Sequence, residues 1–203
     1  MKTYLKPIAN LKACQEALDW AEQYDNLNKA WQKCQRGDWM LWLIGKAIAK
    51  DADRKPLVLI ACKCARLALP YVLKGEEQPQ KAIETAEAWV IGKATLKEVK
   101  AAAAYAAYAA NAASYVANAA SAANAAYAAS YAANAASAAY AASYAAYAAA
   151  DAASASYAAY ASDAAYAAAY ASYAAADEST LSQCADLVRA YYPNPPLIKV
   201  RRS

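Results

Sequence analysis

Residues 101–130 read AAAAYAAYAANAASYVANAASAANAAYAAS, and the same alternation of alanine pairs with tyrosine, serine or asparagine continues to residue 176. Of these 76 positions, 47 are alanine and 13 are tyrosine. Alanine is the strongest helix former because its side chain loses no rotamer freedom and does not compete for backbone hydrogen bonds. The stretch holds no glycine and no proline, so nothing in it breaks a helix outright. This fixes the expected fold class: an all-α, multi-helical bundle with an Ala/Tyr-rich helical tract.

One straight helix of that length would run about 114 Å at 1.5 Å per residue, well beyond a compact domain of 203 residues. The non-alanine positions recur at Tyr105, Tyr108, Asn111, Ser114, Asn118, Ser121, Asn124 and Tyr127, with more steps of three than of four. A mean step of about 3.3 residues drifts by about 30° each time around a 3.6-residue helix, so this stripe circles the axis. A long coiled-coil seam does not fit that drift. Shorter helices touching several neighbours do, with breaks expected around residues 118–124 and 151–156, where small polar side chains can cap new helices. Alanine lets helix backbones approach closely. The tyrosines, Tyr140, Tyr144 and Tyr147 among them, are then the contact groups, with rings in the grooves and hydroxyls reaching water or a partner.

The flanks are different in kind. Residues 1–100 carry 17 basic and 12 acidic side chains, whereas 101–176 carry only Asp151 and Asp163. Three regions follow: a helical N-terminal region over 1–100, the tract over 101–176, and a C-terminal helix with a proline-rich tail over 177–203. In the first, Asn10 is expected to cap a helix over 11–24, and Asn26 one over 27–36 with Ala30, Trp31 and Cys34 on its buried face. Gly37 suits a left-handed helix stop, and Asp38 the N-cap of the next helix. Pro56 opens an apolar helix running to Val72, and Pro79 opens another that ends near Gly92. Thr95-Leu96-Lys97-Glu98 is a capping box that starts a helix running straight into the tract. At the far end, Leu181, Cys184, Ala185 and Val188 form one apolar stripe, stopped by Pro193-Asn194-Pro195-Pro196.

The composition removes several functions. There is no histidine, hence no imidazole general base, no Ser-His or Cys-His pair and no imidazole metal site. A net charge of +4 gives no argument for nucleic acid. The uncharged part of the tract carries a polar or tyrosine residue at about every third position, so a membrane span is not expected. Five dispersed cysteines and an N-terminus without an apolar signal core predict reduced thiols in the cytoplasm. Cys62 and Cys64 project about 200° apart on a helix and cannot share one ion; no metal and no cofactor are expected.

Candidate functional residues are then few. Trp39 and Trp42 lie three apart beside Leu43, as core or as an aromatic anchor for a partner. Glu84 and Glu87 also share a face, with Trp89 nearby. Asp38, Glu84 and Glu87 are the carboxylates an enzyme would use if they converged. Together with Asp19 and Arg66 they are alternatively members of a buried ion network that specifies packing.

Several segments, taken in order, carry a family likeness. Leu11, Cys14, Glu16-Ala17 and Trp20-Ala21 precede Cys34, Arg36-Gly37-Asp38-Trp39 and Leu41-Trp42-Leu43. Ala61-Cys62, Cys64-Ala65-Arg66 and Ala82-Ile83-Glu84-Thr85-Ala86-Glu87 with Trp89 follow. Gly92, Ala94-Thr95-Leu96 and Glu98-Val99 lead into the alanine tract, and Cys184-Ala185-Asp186, Val188-Arg189, Pro193 and Pro195 close the set. The set resembles the fifth-class-like immunity protein family of bacterial toxin systems, met also in phages. The resemblance implies a cytoplasmic, non-catalytic protein that neutralises a toxin by binding it, and supplies no catalytic residues. The tract is richer in tyrosine here than in the family. Candidate partner contacts are therefore Asp38, Trp39, Trp42, Glu84, Glu87, Tyr140, Tyr144 and Tyr147. The alternatives are a structural scaffold that self-associates, and ice binding by an alanine-rich helix, although this tract lacks the threonine faces of alanine-rich antifreeze helices.

Overall fold

A computed structural model describes residues 1–47, 55–122, 140–148, 157–175 and 179–198. All regular structure among them is helical. A 3-10 turn at Thr3–Leu5 leads into α1 (Lys6–Asn10), followed by α2 (Gln15–Glu22), α3 (Leu27–Lys33), α4 (Gly37–Ala47) and α5 (Lys55–Arg66). After a second 3-10 turn, Leu69–Tyr71, come α6 (Gln78–Val90) and α7 (Leu96–Ala122). A helical stretch over 140–148 (α8), α9 (Tyr157–Ala175) and α10 (Ser179–Tyr191) complete the bundle. Helix α9 packs on α4, α5 and α10, α10 also packs on α4 and α5, and α6 is held between α5 and α7. One apolar core runs through these layers, from Leu5 and Ile44 through Ile60 and Ile83 to Ala145, Ala168 and Val188.

Local signals account for several helix ends. Asn26 accepts a hydrogen bond from the Lys29 amide at 2.9 Å, the N-cap expected for α3. The Thr95 amide donates to Glu98 Oε2 at 2.7 Å and the Glu98 amide donates to Thr95 Oγ1 at 3.3 Å, closing the capping box at the start of α7. Helix α6 ends where Gly92 takes φ +76°, with the Lys93 amide donating to the Ala88 carbonyl at 2.8 Å and the Gly92 amide to the Trp89 carbonyl at 3.0 Å. That pairing satisfies the last carbonyls of the helix and needs a residue free to adopt positive φ.

Other local expectations are displaced. The helix expected over 11–24 is shorter: Asn10 ends α1 instead of capping this helix, Lys12 takes a left-handed φ of 68°, and α2 runs only from Gln15 to Glu22. The helix opened by Pro56 stops at Arg66 rather than Val72, because Pro70 cannot continue it and a 3-10 turn takes over. Asp53, a residue type that caps helices and lies just before α5, is outside the described residues. Gly37 is the first residue of α4 and not a left-handed stop, so Asp38 lies inside the first turn rather than at the cap. Helix α3 has already ended at Lys33.

The glycine at position 37 answers a tertiary demand. A Cβ there would lie 2.4 Å from Cys184 Cβ and 2.7 Å from the Ala185 backbone nitrogen, so only glycine lets α10 cross the start of α4 this closely. Arg189 of α10 fastens the same junction. Its Nη1 donates to the carbonyls of Cys34 at 2.6 Å and Trp31 at 3.2 Å, capping the C-terminal end of α3, while Nη2 meets Asp186.

The tract is helical wherever it is described, and it is divided into shorter helices. Helix α7 runs unbroken through residue 122; the rest of the first expected break, 123 onward, and the second, 151–156, lie outside the described residues. Among the described side chains of α7, the buried ones are Val99, Ala103, Ala106, Ala110 and Ala113. These steps of four, three, four and three make a true heptad seam. The drifting tyrosine, serine and asparagine positions hide it, because the seam is written in alanines that look like every other alanine. In α8 every position is buried except Tyr140, Tyr144 and Tyr147, which are half-buried and share one face. Its buried Ser143 donates to the Tyr140 carbonyl at 3.0 Å and Ser172 of α9 to the Ala169 carbonyl at 2.7 Å, so neither hydroxyl is left unpaired.

Candidate functional site

Where α1 to α4 meet α9, the walls leave an apolar cleft of about 410 Å³. Helix α2 contributes Leu18 and Trp20, α4 contributes Trp39 and Trp42, and α9 contributes Tyr166 and Tyr173. The break at Lys12 opens it: by ending α1 and redirecting the chain into α2, it brings Lys12, Ala13 and Cys14 to the rim. Clefts in this size range, apolar with a few polar groups, are the usual form of a binding site.

The aromatic wall is ordered. Trp20 meets Trp39 edge-on, with ring centroids 5.9 Å apart and planes at 60°, and Trp20 also contacts Tyr24 at 4.9 Å. The Arg36 guanidinium lies 4.3 Å from the Trp39 ring centroid, a cation–π contact that orients the indole. Arg36 simultaneously grips Asp38 through two bonds, Nε to Oδ1 at 3.0 Å and Nη2 to Oδ2 at 2.8 Å, and reaches Glu16 at 3.2 Å. Both Asp38 oxygens are thereby accepting, and its charge is neutralised at the cleft wall. Cys34, also lining the cleft, donates to the Arg36 carbonyl; burial pushes its thiol up to about 11, so it stays protonated and inert.

Of the sequence candidates, Asp38, Trp39 and Trp42 come together in this cleft, and Glu84 and Glu87 do not. Glu87 takes a two-point bond from Arg66, Nε at 2.9 Å and Nη2 at 2.6 Å, tying α5 to α6. Glu84 is exposed beside a shallow depression between α6 and α7 and accepts from Gln80. Asp19 is exposed too, accepting from Gln15. The ion network over Asp19, Asp38, Arg66, Glu84 and Glu87 is thus two separate clamps, Arg36–Asp38 and Arg66–Glu87, with two solvated acids. The three carboxylates of the enzyme alternative share no pocket.

Tyr140, Tyr144 and Tyr147 form one stripe on α8, and Tyr166, Tyr170 and Tyr173 form the matching stripe on α9. Tyr144 stacks on Tyr170 with planes 14° apart and centroids at 5.3 Å, and also touches Tyr166 at 5.0 Å. Tyr140 contacts Tyr170 and gives its hydroxyl to Asn111 of α7. Burial raises the phenols of Tyr144 and Tyr170 above their ordinary value. The α8 rings therefore serve as helix-to-helix packing, while the outer α9 rings, Tyr166 at 49% and Tyr173 at 64% exposure, reach the cleft rim. Lys12, Tyr166 and Tyr173 escaped the sequence reading, and Trp20 figured there in the family likeness but not as a site residue. The i, i+4, i+7 spacing that α9 shares with α8 was the available signal for its two tyrosines.

The remaining chemistry is sparse. Among the described residues no three Cys, Asp or Glu side chains gather as a metal site, and no helix is long and apolar enough to cross a membrane. All five cysteines are free thiols; Cys62 donates to the Ile83 carbonyl of α6, Cys64 is hydrogen-bonded to the Cys184 thiol of α10, and both thiols of α5 are pushed upward in pKa. Compared with known proteins, the chain matches no family model, no curated protein and no solved structure.

Proposed function

We propose that this chain is a non-catalytic interaction protein that works in the cytoplasm by occupying a protein partner, in the manner of an immunity protein that neutralises a toxin. The observation that carries the reading is the aromatic cleft, where Trp39 and Trp42 meet Trp20 and the exposed rings of Tyr166 and Tyr173. Tryptophan and tyrosine dominate protein interfaces because they bury large rigid areas at little entropic cost. The absence of histidine from the sequence and the separation of Asp38 from Glu84 and Glu87 favour binding over catalysis. The ordered segments quoted above supply the immunity and phage context.

The test is partner capture from the native host with matched variants. Wild type and Tyr105→Ser, which lies on α7 outside the cleft, should retain the same partner, whereas Tyr166→Ser/Tyr173→Ser should lose it about tenfold or more. Equal retention by all three proteins, or no partner at all, defeats the reading.

A second reading, self-association as a scaffold, is favoured by Tyr105 and Tyr108, which stand 59% and 71% exposed on α7. Light scattering across a concentration series should show growth in mass that Tyr105→Ser/Tyr108→Ser abolishes. A constant monomer mass removes it.

A further inference from the structure

The cleft is also chemically selective. Its walls carry apolar and aromatic surface, and the charges within them are already spent: both Asp38 oxygens are held by Arg36, and the Cys34 thiol is neutral and hydrogen-bonded. Lys12 is the exception. It is exposed, it lines the rim, and no ion pair or side-chain hydrogen bond joins it to another described residue. Its backbone is held at φ 68°, a conformation a lysine adopts only when its surroundings impose it. The fold therefore places an unpaired lysine at the edge of a hydrocarbon-lined cavity, its flexible side chain within reach of an anion there.

We propose that this cleft binds a small amphipathic anion: a flat aromatic or short hydrocarbon body lodged between Trp20, Trp42 and Tyr173, with one carboxylate at Lys12. The volume, about 410 Å³, is of the class that encloses a drug-sized molecule. A neutral ligand would leave the ammonium unused, a cationic one would meet it as a like charge, and a dianion would find no second free cation among the lining residues. The inference concerns the cleft alone and stands or falls independently of any protein partner.

Two isosteric probes test it on the full chain: naphthalene-2-carboxylate and naphthalene-2-carboxamide, titrated by calorimetry at low salt. The carboxylate is expected to bind about three- to fivefold tighter, the scale of one exposed charge pair, and the difference should vanish at high salt. Lys12→Gln, which keeps the backbone strain and so should unfold at the same urea concentration, is expected to reduce the carboxylate to the affinity of the carboxamide. Lys12→Arg should restore the preference. Tyr173→Ser should weaken both probes alike. Cys14 gives an independent readout, because it lines the cleft and is the exposed thiol of the five: a saturating carboxylate should slow its alkylation by iodoacetamide. Equal affinity for the two probes, a preference untouched by Lys12→Gln, an unchanged alkylation rate or no saturable binding at millimolar concentration each overturns the proposal.

Discussion

The first hundred residues bury large branched side chains among small ones, whereas the alanine tract reaches full burial with hardly any large aliphatic side chain. In α4 to α6 the buried set includes long, branched side chains, with Ile44, Leu57, Ile60 and Ile83 all inaccessible, set among small ones such as Ala61, Ala65, Ala82 and Ala86. In α7 to α9 the equally inaccessible positions are alanines, among them Ala103, Ala106, Ala145 and Ala168. The first region fills the space between helices with hydrocarbon; the second removes the space by bringing backbones together. Large side chains contribute more transfer free energy, at roughly 0.8 kcal/mol per buried methylene, but they also define their own sockets. Alanine contributes little per residue and defines almost no socket, and what it adds instead is helix propensity and close approach. The tract then needs its tyrosine stripes, because matched rings on α8 and α9 supply the shape that alanine lacks.

The two regions should break in opposite directions. Truncation should hurt most in the first. Ile83→Ala removes a fully buried branched side chain between α6 and α5 and is expected to cost about 3–4 kcal/mol, read as a lower urea midpoint with an unchanged slope. Enlargement should hurt next at the seam where the regions meet: Gly37→Ala must push α10 off α4 against backbone atoms, for a loss of about 3 kcal/mol. Inside the tract, Ala168→Leu should cost about 2 kcal/mol by overpacking α9, although leucine is nearly as good a helix former. A stabilised Ala168→Leu protein would mean that the tract is loosely packed and that the contrast is false.

The smallest effect sharpens the role of the rings. Tyr144 and Tyr170 keep their protons to higher pH when folded than when unfolded, chiefly because burial disfavours the phenolate. Their contribution is therefore complete below the ordinary value of 10.0 and is lost as pH climbs through the raised folded values. Tyr144→Phe/Tyr170→Phe should change stability by less than about 1 kcal/mol at neutral pH, yet flatten the fall of the unfolding midpoint as pH rises above the ordinary value of 10.0. An unchanged alkaline slope would place both phenols in contact with water.

Some of the site was legible in the residue order. Trp39 and Trp42 stand three apart, and the structure gathers both with Asp38, although Asp38 acts as the partner of Arg36 rather than as a helix cap. The Thr95–Glu98 box and the Gly92 stop involve partners within a few residues, so local chemistry was enough to place them. Gly37 shows where such reasoning ends. A glycine between two helices reads as a stop, but its cause lies in Cys184, far along the chain. Lys12 is harder still, since nothing in Asn10-Leu11-Lys12-Ala13 announces a left-handed lysine.

Helix content, the absence of imidazole chemistry and the short-range caps were settled by residue types and their neighbours, because propensity and capping act over one helical turn. Which alanines face inward was decided only by assembly. Every alanine in the tract has the same side chain, so no sequence pattern can prefer Ala106 over Ala107 until α6 is laid against α7. The cleft has the same origin: its walls come from α1 to α4 and α9, more than a hundred residues apart, and it exists only because the left-handed turn at Lys12 and the tyrosine stripe of α9 meet across the bundle.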